Sequence, residues 1–301
     1  MKEFHKIYGE SLTPEDRERV AETLEKWNAE SRKSLNGEME KTPEQFQFIK
    51  DANAWIKQEF TELGIENPPI VAQELIHYLP EEEYKKLDDR QRKTIGISFS
   101  LENTAYVNVS VCHRLQLFKT TLHEMIHLAS AKAVFVDPEK ARINPYRIGY
   151  NVERGRSLFH GLDEAVVDKT TLEILKNHWE EMEKKFSVSE EETEKNSVTY
   201  YHDYMLILNT IIDEMSDHTQ KNSEEIWKNF KKGLLTGELM HIREIERVYG
   251  KGGLRILSLM GQDSDSKKHD AMLRKIKEYF SEKDLKEREA IAKKILGSVR
   301  G

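Results

Sequence analysis

The stretch from Phe118 to Ala129 leaves the chain little choice of local structure. Phe118, Leu122, Met125, Ile126 and Ala129 recur at helical spacing and make an apolar stripe. A helix built on that stripe is buried along one side, yet it also carries His123, Glu124 and His127. The two histidines stand four apart, so they project from one face, one turn above the other. A buried polar group without a partner costs roughly 1–3 kcal/mol, so their presence needs a reason. Two imidazoles at this spacing can grip one Zn²⁺, with Glu124 between them placed to act on a water at the metal. Two ordinary histidines on an amphipathic helix fit the spacing equally well; a third ligand would separate the readings.

What precedes this helix is the clearest β signal in the chain. Ile95, Ile97, Phe99 and Leu101 alternate with small or polar residues, and Ala105, Val107, Val109 and Val111 do so after a break at Glu102-Asn103-Thr104. That pattern predicts a hairpin with one buried face, running almost directly into the histidine-bearing helix. The fold class is therefore α+β, with a small sheet beside that helix and not a pure bundle. Upstream, the opening residues lead into a charged helix. Thr13-Pro14-Glu15-Asp16 and Thr42-Pro43-Glu44-Gln45 read as helix starts, the first followed by Val20, Leu24 and Trp27, the second by Ile49, Ile56, Phe60 and Leu63. Ile70 to Leu79 reads as a strand and Pro80 to Leu87 as a short charged helix. After Ala133 an irregular stretch is expected, then a strand through Tyr146, Ile148, Tyr150 and Val152, and a turn at Arg154-Gly155-Arg156.

Gly161 precedes a further strong helix with Ala165, Leu172, Leu175, Trp179 and Met182 on its apolar side. Ser187 to Asn196 reads as an exposed acidic loop. From Tyr200 onward the pattern is helical, with a charged tail beyond Gln262. On the helix after Gly161, Glu164 and Asp168 share a face one turn apart. A catalytic zinc site takes three protein ligands and leaves one position for water; His123, His127 and Glu164 meet that count. Asp168 can accept the spare N–H of a ligating imidazole. His160 is the rival third ligand, placed off that helix face.

His123-Glu124-Met125-Ile126-His127, followed roughly forty residues later by Leu162-Asp163-Glu164-Ala165 and then Asp168, resembles the gluzincin metallopeptidases, the thermolysin-like group. The resemblance covers about Ile70 to Met260 and is closest to the family's compact members. Where the family usually has Asn-Glu-Gly, this chain has Asp163-Glu164-Ala165. The resemblance implies a zincin-like domain over residues 69–262, with residues 1–68 as a helical accessory segment and 263–301 as a charged helical tail. It implies Zn²⁺ held by His123, His127 and Glu164, Glu124 as general base, Asp168 behind a ligand, and a peptide or protein substrate. Gluzincins also draw an oxyanion donor from a helix downstream of the third ligand, where Tyr200-Tyr201-His202-Asp203-Tyr204 stands; Tyr201 and Tyr200 rank ahead of His202 for that role.

Two rivals remain. Glu124-x-x-His127 and Glu238-x-x-His241 could be paired motifs of a di-iron carboxylate protein, with Glu164 as a further ligand. A catalytically inactive metallopeptidase-like binding module is the other. A formal net charge of −7 argues against general nucleic-acid binding. No apolar run approaches the ~20 residues of a membrane span. Cys112 is the one cysteine, so neither an internal disulfide nor a thiolate zinc cluster can form. With no signal-peptide core at the start, a cytoplasmic location is expected; oligomeric state is not readable.

Overall fold

Two threonine–proline pairs set the start of the long helices near the N-terminus. In the computed structural model, α1 (Pro14–Ser31) and α2 (Pro43–Glu62) both open on capping boxes. Thr13 Oγ1 accepts the Asp16 N–H at 3.1 Å and Thr42 Oγ1 that of Gln45 at 3.2 Å, while the Asp16 and Gln45 side chains reach back. Proline at the first helical position loses no hydrogen bond there. The structure describes residues 5–10, 12–66, 69–87, 94–137, 142–153, 156–189, 201–261 and 266–298. It is α+β and mostly helical, with small mixed sheets. The chain forms two compact units, one of residues 1–148 and 170–198, the other of 149–169 and 199–301.

In the first unit, β2 (Ile76–Leu79), β3 (Gly96–Phe99) and β4 (Thr104–Asn108) form a sheet in the order β2-β4-β3. β2 runs parallel to β4, and β3 is the antiparallel partner expected from the hairpin pattern, but Val109–Val111, read as the end of the second strand, turn as a 3₁₀ helix. Between β2 and β3 lies α3 (Glu81–Leu87). α4 (Arg114–Ala129) packs on β3 and β4. Phe48 of α2 stacks on Phe118 of α4 at 4.4 Å, and Phe186, at the end of α6 (Trp179–Phe186), meets both rings.

A second sheet in this unit corrects the sequence reading twice. Residues 1–4 lie outside the described residues, and His5–Tyr8 form strand β1 ahead of α1, where no strand was expected. The stretch after Ala133, expected to be irregular, belongs to strand β5 (Lys132–Asp137). β1 pairs parallel to β5, and β6 (Arg142–Ile148) pairs antiparallel to it. The strands exist because α1 covers one sheet face: Val20 and Leu24 pack with Val134 and Val136, with Ile7 and Ile143 beside them. Such pairing is non-local, and Ala133 and Phe135 between the valines hide the alternation. Between Ile70 and Leu79 the strand is shorter than expected, because Gln73–Leu75 turns as a 3₁₀ helix.

In the second unit, β7 (Asn151–Glu153) and β8 (Ser157–Leu158) form an antiparallel pair leading to α5 (His160–Asn177), whose residues from Thr170 on belong to the first unit. α5 contains Gly161 in its first turn and stops at Asn177, so Trp179 and Met182 belong to α6 instead; Leu172 is exposed. Of the exposed loop expected from Ser187 to Asn196, the part from 190 on lies outside the described residues, and Val188 before it is buried. Beyond it come α7 (His202–Thr219), α8 (Ser223–Thr236), α9 (Glu244–Tyr249) and α10 (Gly253–Leu257), then α11 (Ser266–Ser281) and α12 (Leu285–Ser298) in the charged tail. α7 packs on α8 and α11, and α11 on α12. Among the described residues, no helix is long and apolar enough to cross a membrane.

Candidate metal centre

From Thr120 to Ala129 every residue of α4 is buried, so its polar members sit in a nearly dry setting. His123, Glu124 and His127 are 8%, 5% and 6% exposed. The Nε2 atoms of the two histidines lie 3.1 Å apart, with the rings inclined at 67°. Two nitrogens each about 2.05 Å from one ion at a tetrahedral angle would be about 3.3 Å apart. The spacing of the pair is thus compatible with a shared cation.

Contacts at both ends of the reactive turn hold α4 in place. Tyr78 of β2 shares a hydrogen bond of 3.0 Å with Thr121. Lys132, the first residue of β5, donates to the Leu128 carbonyl at 2.8 Å and also to Asn103 Oδ1 in the β3–β4 turn. A cation at a helix C-terminus is favourably placed against the exposed carbonyl dipoles. Lys132 is fully enclosed, and burial pushes its ammonium down to about 7. On the sheet side, Gly96 of β3 lies against Glu124. A Cβ added there would stand 2.5 Å from Glu124 Oε1 and 2.7 Å from Thr120 Cγ2. Glycine inside a strand often marks such a close approach.

The first turns of α5 carry three carboxylates, and all are buried: Asp163 at 2%, Glu164 at 7% and Asp168 at 2% exposed. Asp168 is thus not a solvated surface acid. Asp163 Oδ1 accepts the Tyr150 backbone N–H at 2.7 Å. His160 is the first residue of α5, half-buried, and its Nδ1 lies 3.6 Å from Glu164 Oε1. One ligand atom each from His123, His127 and Glu164 lie within 4.8 Å of one another, and this is the group among the described residues that could hold a metal ion. His160 is not a member of it. Two imidazoles and a carboxylate form a donor set that suits several divalent transition metals.

The remaining sequence candidates separate clearly. Tyr200 lies outside the described residues. Tyr201 is half-buried at the N-cap of α7, its ring stacked on Tyr204 at 5.7 Å, and His202 is exposed. Tyr204, in the same cluster but not singled out from sequence, is 7% exposed. Its phenol shares a 2.9 Å hydrogen bond with His269 Nε2 of α11. Burial, then the negative charges of Glu164 and Asp270, raise its pKa above the ordinary tyrosine range. Its signal was positional: it stands three and four residues before Ile207 and Leu208, on the buried stripe of α7.

Glu238-x-x-His241 does not form the helical ligand pair a di-iron site uses. Glu238 precedes a short 3₁₀ turn and its side chain is exposed, whereas His241 lies 2.6 Å from the Tyr150 hydroxyl. Burial pushes His241 down to about 4. Neither family models, nor curated proteins, nor solved structures give a match to this chain.

Proposed function

We propose that this chain is a zinc-dependent peptidase of the gluzincin type, with the β2-β4-β3 sheet and α4 as part of a zincin-like domain. The observation that carries the reading is the grouping of His123, His127 and Glu164 ligand atoms, with Glu124 buried on the helix that carries both histidines. Three protein donors leave a position open, as catalytic zinc sites do and structural ones do not. A zinc ion held there would supply Lewis acidity toward a peptide carbonyl and lower the pKa of a water.

The chain's own residues then have separable roles. Glu124 takes the proton of the attacking water and returns it to the leaving amine. Burial in the dry interior of α4 and the closeness of Gly96 fix where its carboxylate stands. Tyr204 donates its hydroxyl hydrogen to the oxyanion formed at the carbonyl carbon; a raised pKa keeps the phenol protonated throughout the working range. β3 is the end strand of its sheet, so an extended peptide can align along its outer edge and bring a scissile bond past Glu124.

The test is elemental analysis of the purified protein together with peptide hydrolysis by the parent and by Glu124→Gln. One zinc per chain in both proteins, with cleavage by the parent alone, is the expected result. Two irons per chain, or unimpaired cleavage by Glu124→Gln, would overturn the reading. Zinc without cleavage of any peptide in a diverse mixture would move the assignment to a metal-holding binding module.

A further inference from the structure

Asp163 and Glu164 are adjacent, and both are buried, which ordinary helix surfaces do not tolerate. Neighbours on an α-helix point about 100° apart, so the two carboxylates serve different surroundings. Glu164 belongs to the metal group, whereas Asp163 turns to the bend between β6 and β7 and accepts the Tyr150 N–H. Gly149 forms the other side of that contact. Its φ is +51°, and a Cβ on it would overlap Asp163 Oδ1. The bend has thus been built to let the Asp163 carboxylate sit directly against backbone.

Backbone groups also anchor the α5 N-terminus. Phe159, just before the helix, has φ +62°, a left-handed kink unusual for a non-glycine residue. Its N–H donates to the Ser258 carbonyl at 3.1 Å, and the Gly161 N–H to that of Met260 at 2.8 Å. These two bonds hold the helix end to the Ser258–Gly261 segment. They lie at the entry of the chain into the helix, whereas the Asp163 contact with the Gly149–Tyr150 bend acts off the helix axis, where it resists rotation of the first turn.

We propose that Asp163 is a positioning residue that sets the azimuth of the first turn of α5 and thereby the reach of Glu164 as a metal ligand. This rests on the reading of Glu164 as the third donor. A side-chain end on a helix lies roughly 6 Å from the axis, so a rotation of about 10° carries it about 1 Å. Metal–ligand distances tolerate only about 0.2 Å. Release of Asp163 therefore costs affinity without removing a ligand, in the range of about 10–100-fold usual for groups that orient ligands.

Equilibrium competition for zinc against a chelator, on the full chain, tests this without reference to catalysis. Asp163→Ala should bind zinc about 10–100-fold more weakly than the parent, and Gly149→Ala should weaken it in the same direction by displacing the carboxylate. Asp163→Asn should recover most of the affinity, because its amide oxygen can still accept the Tyr150 N–H. Tyr150→Phe is the control for a merely structural effect. It removes the hydroxyl from the Phe230 carbonyl and His241, and should lower the melting temperature while leaving zinc affinity as it was. Parent-like affinity in Asp163→Ala or Asp163→Asn both weakened as far as Ala would refute the positioning role alone. A parent that takes up no zinc would refute the metal reading, and this proposal with it.

Discussion

Substituting Gly96 by alanine should separate the chemistry of the site from its metal. The added methyl would stand 2.5 Å from Glu124 Oε1, 2.7 Å from Thr120 Cγ2 and 2.9 Å from Glu124 Cγ. Ordinary van der Waals contact begins at 3.4 Å, so Oε1 must retreat by about 0.9 Å. The atoms in the way are side-chain atoms, one of them the end of a flexible carboxylate, and Gly96 needs no left-handed backbone. The fold should therefore adjust at the low end of the usual overpacking penalty, about 1 kcal/mol, or a melting shift of about 2 °C. Catalysis has less freedom, since a misplacement of about 1 Å can lower a rate by about 10²-fold. The nearest atoms to the new methyl include none from His123 or His127, so zinc content should not change. Peptide turnover and zinc stoichiometry on the same preparation, with a thermal melt, measure all three quantities. Parent-like turnover in Gly96→Ala would show that Glu124 is not the base, or that its position is not set by β3. A loss of zinc in step with activity would show that the methyl disturbs the helix itself.

Three further outcomes follow from the same geometry. Tyr204→Phe should lower the turnover number by about 10²–10³-fold at constant zinc content, with Tyr201→Phe close to the parent; the opposite ranking would return the oxyanion role to Tyr201. Asp168→Ala should weaken zinc binding by about 10–100-fold and Asp168→Asn by less, as competition against a chelator would show; equal affinities would exclude a link to a ligating imidazole. Lys132 has a folded pKa of about 7, below its ordinary 10.5, so the unfolded chain binds the extra proton between those values and stability rises with pH across that window. Lys132→Met should remove this slope. Its stability relative to the parent should be greatest at pH 7 and below, by on the order of a few kcal/mol before the two lost hydrogen bonds are counted, and decline toward pH 10.5. Parallel melting curves from pH 6 to pH 10 would refute it.

Local chemistry made much of the molecule readable. The capping boxes at Thr13 and Thr42 place both helix starts from four residues each, because the cap contacts are confined to those residues. The β3–β4 hairpin was legible for a similar reason, since its partners are neighbours in sequence, although the apolar alternation runs on through Val109 and Val111, which turn as a 3₁₀ helix. β1 was not legible, since His5–Tyr8 becomes a strand only by pairing with Lys132–Phe135, more than a hundred residues away. At the candidate site the same division holds. His123, Glu124, His127 and Glu164 announce themselves through residue type and helical spacing. Gly96 does not, because its close approach to Glu124 shows only once β3 lies against α4, and the burial of Tyr204 shows only once α7 is packed.

The density of buried charge on α4 and α5 is a separate argument from the motif. Glu124, Asp163, Glu164 and Asp168 are all less than a tenth exposed. Each buried carboxylate carries a desolvation penalty of several kcal/mol that only close partners offset. Backbone N–H groups can satisfy one of them, as Tyr150 does for Asp163. Two imidazole nitrogens 3.1 Å apart with a Glu164 carboxylate oxygen in the same group are electrostatically biased toward a cation, whatever chemistry follows. That bias makes a checkable distinction. If the carboxylates serve only the fold, saturating zinc will leave the melting temperature where it was. If they serve a cation, zinc at 100 times its dissociation constant should add about 2.7 kcal/mol of stability. That increment should disappear in Glu164→Ala while persisting in Glu124→Gln.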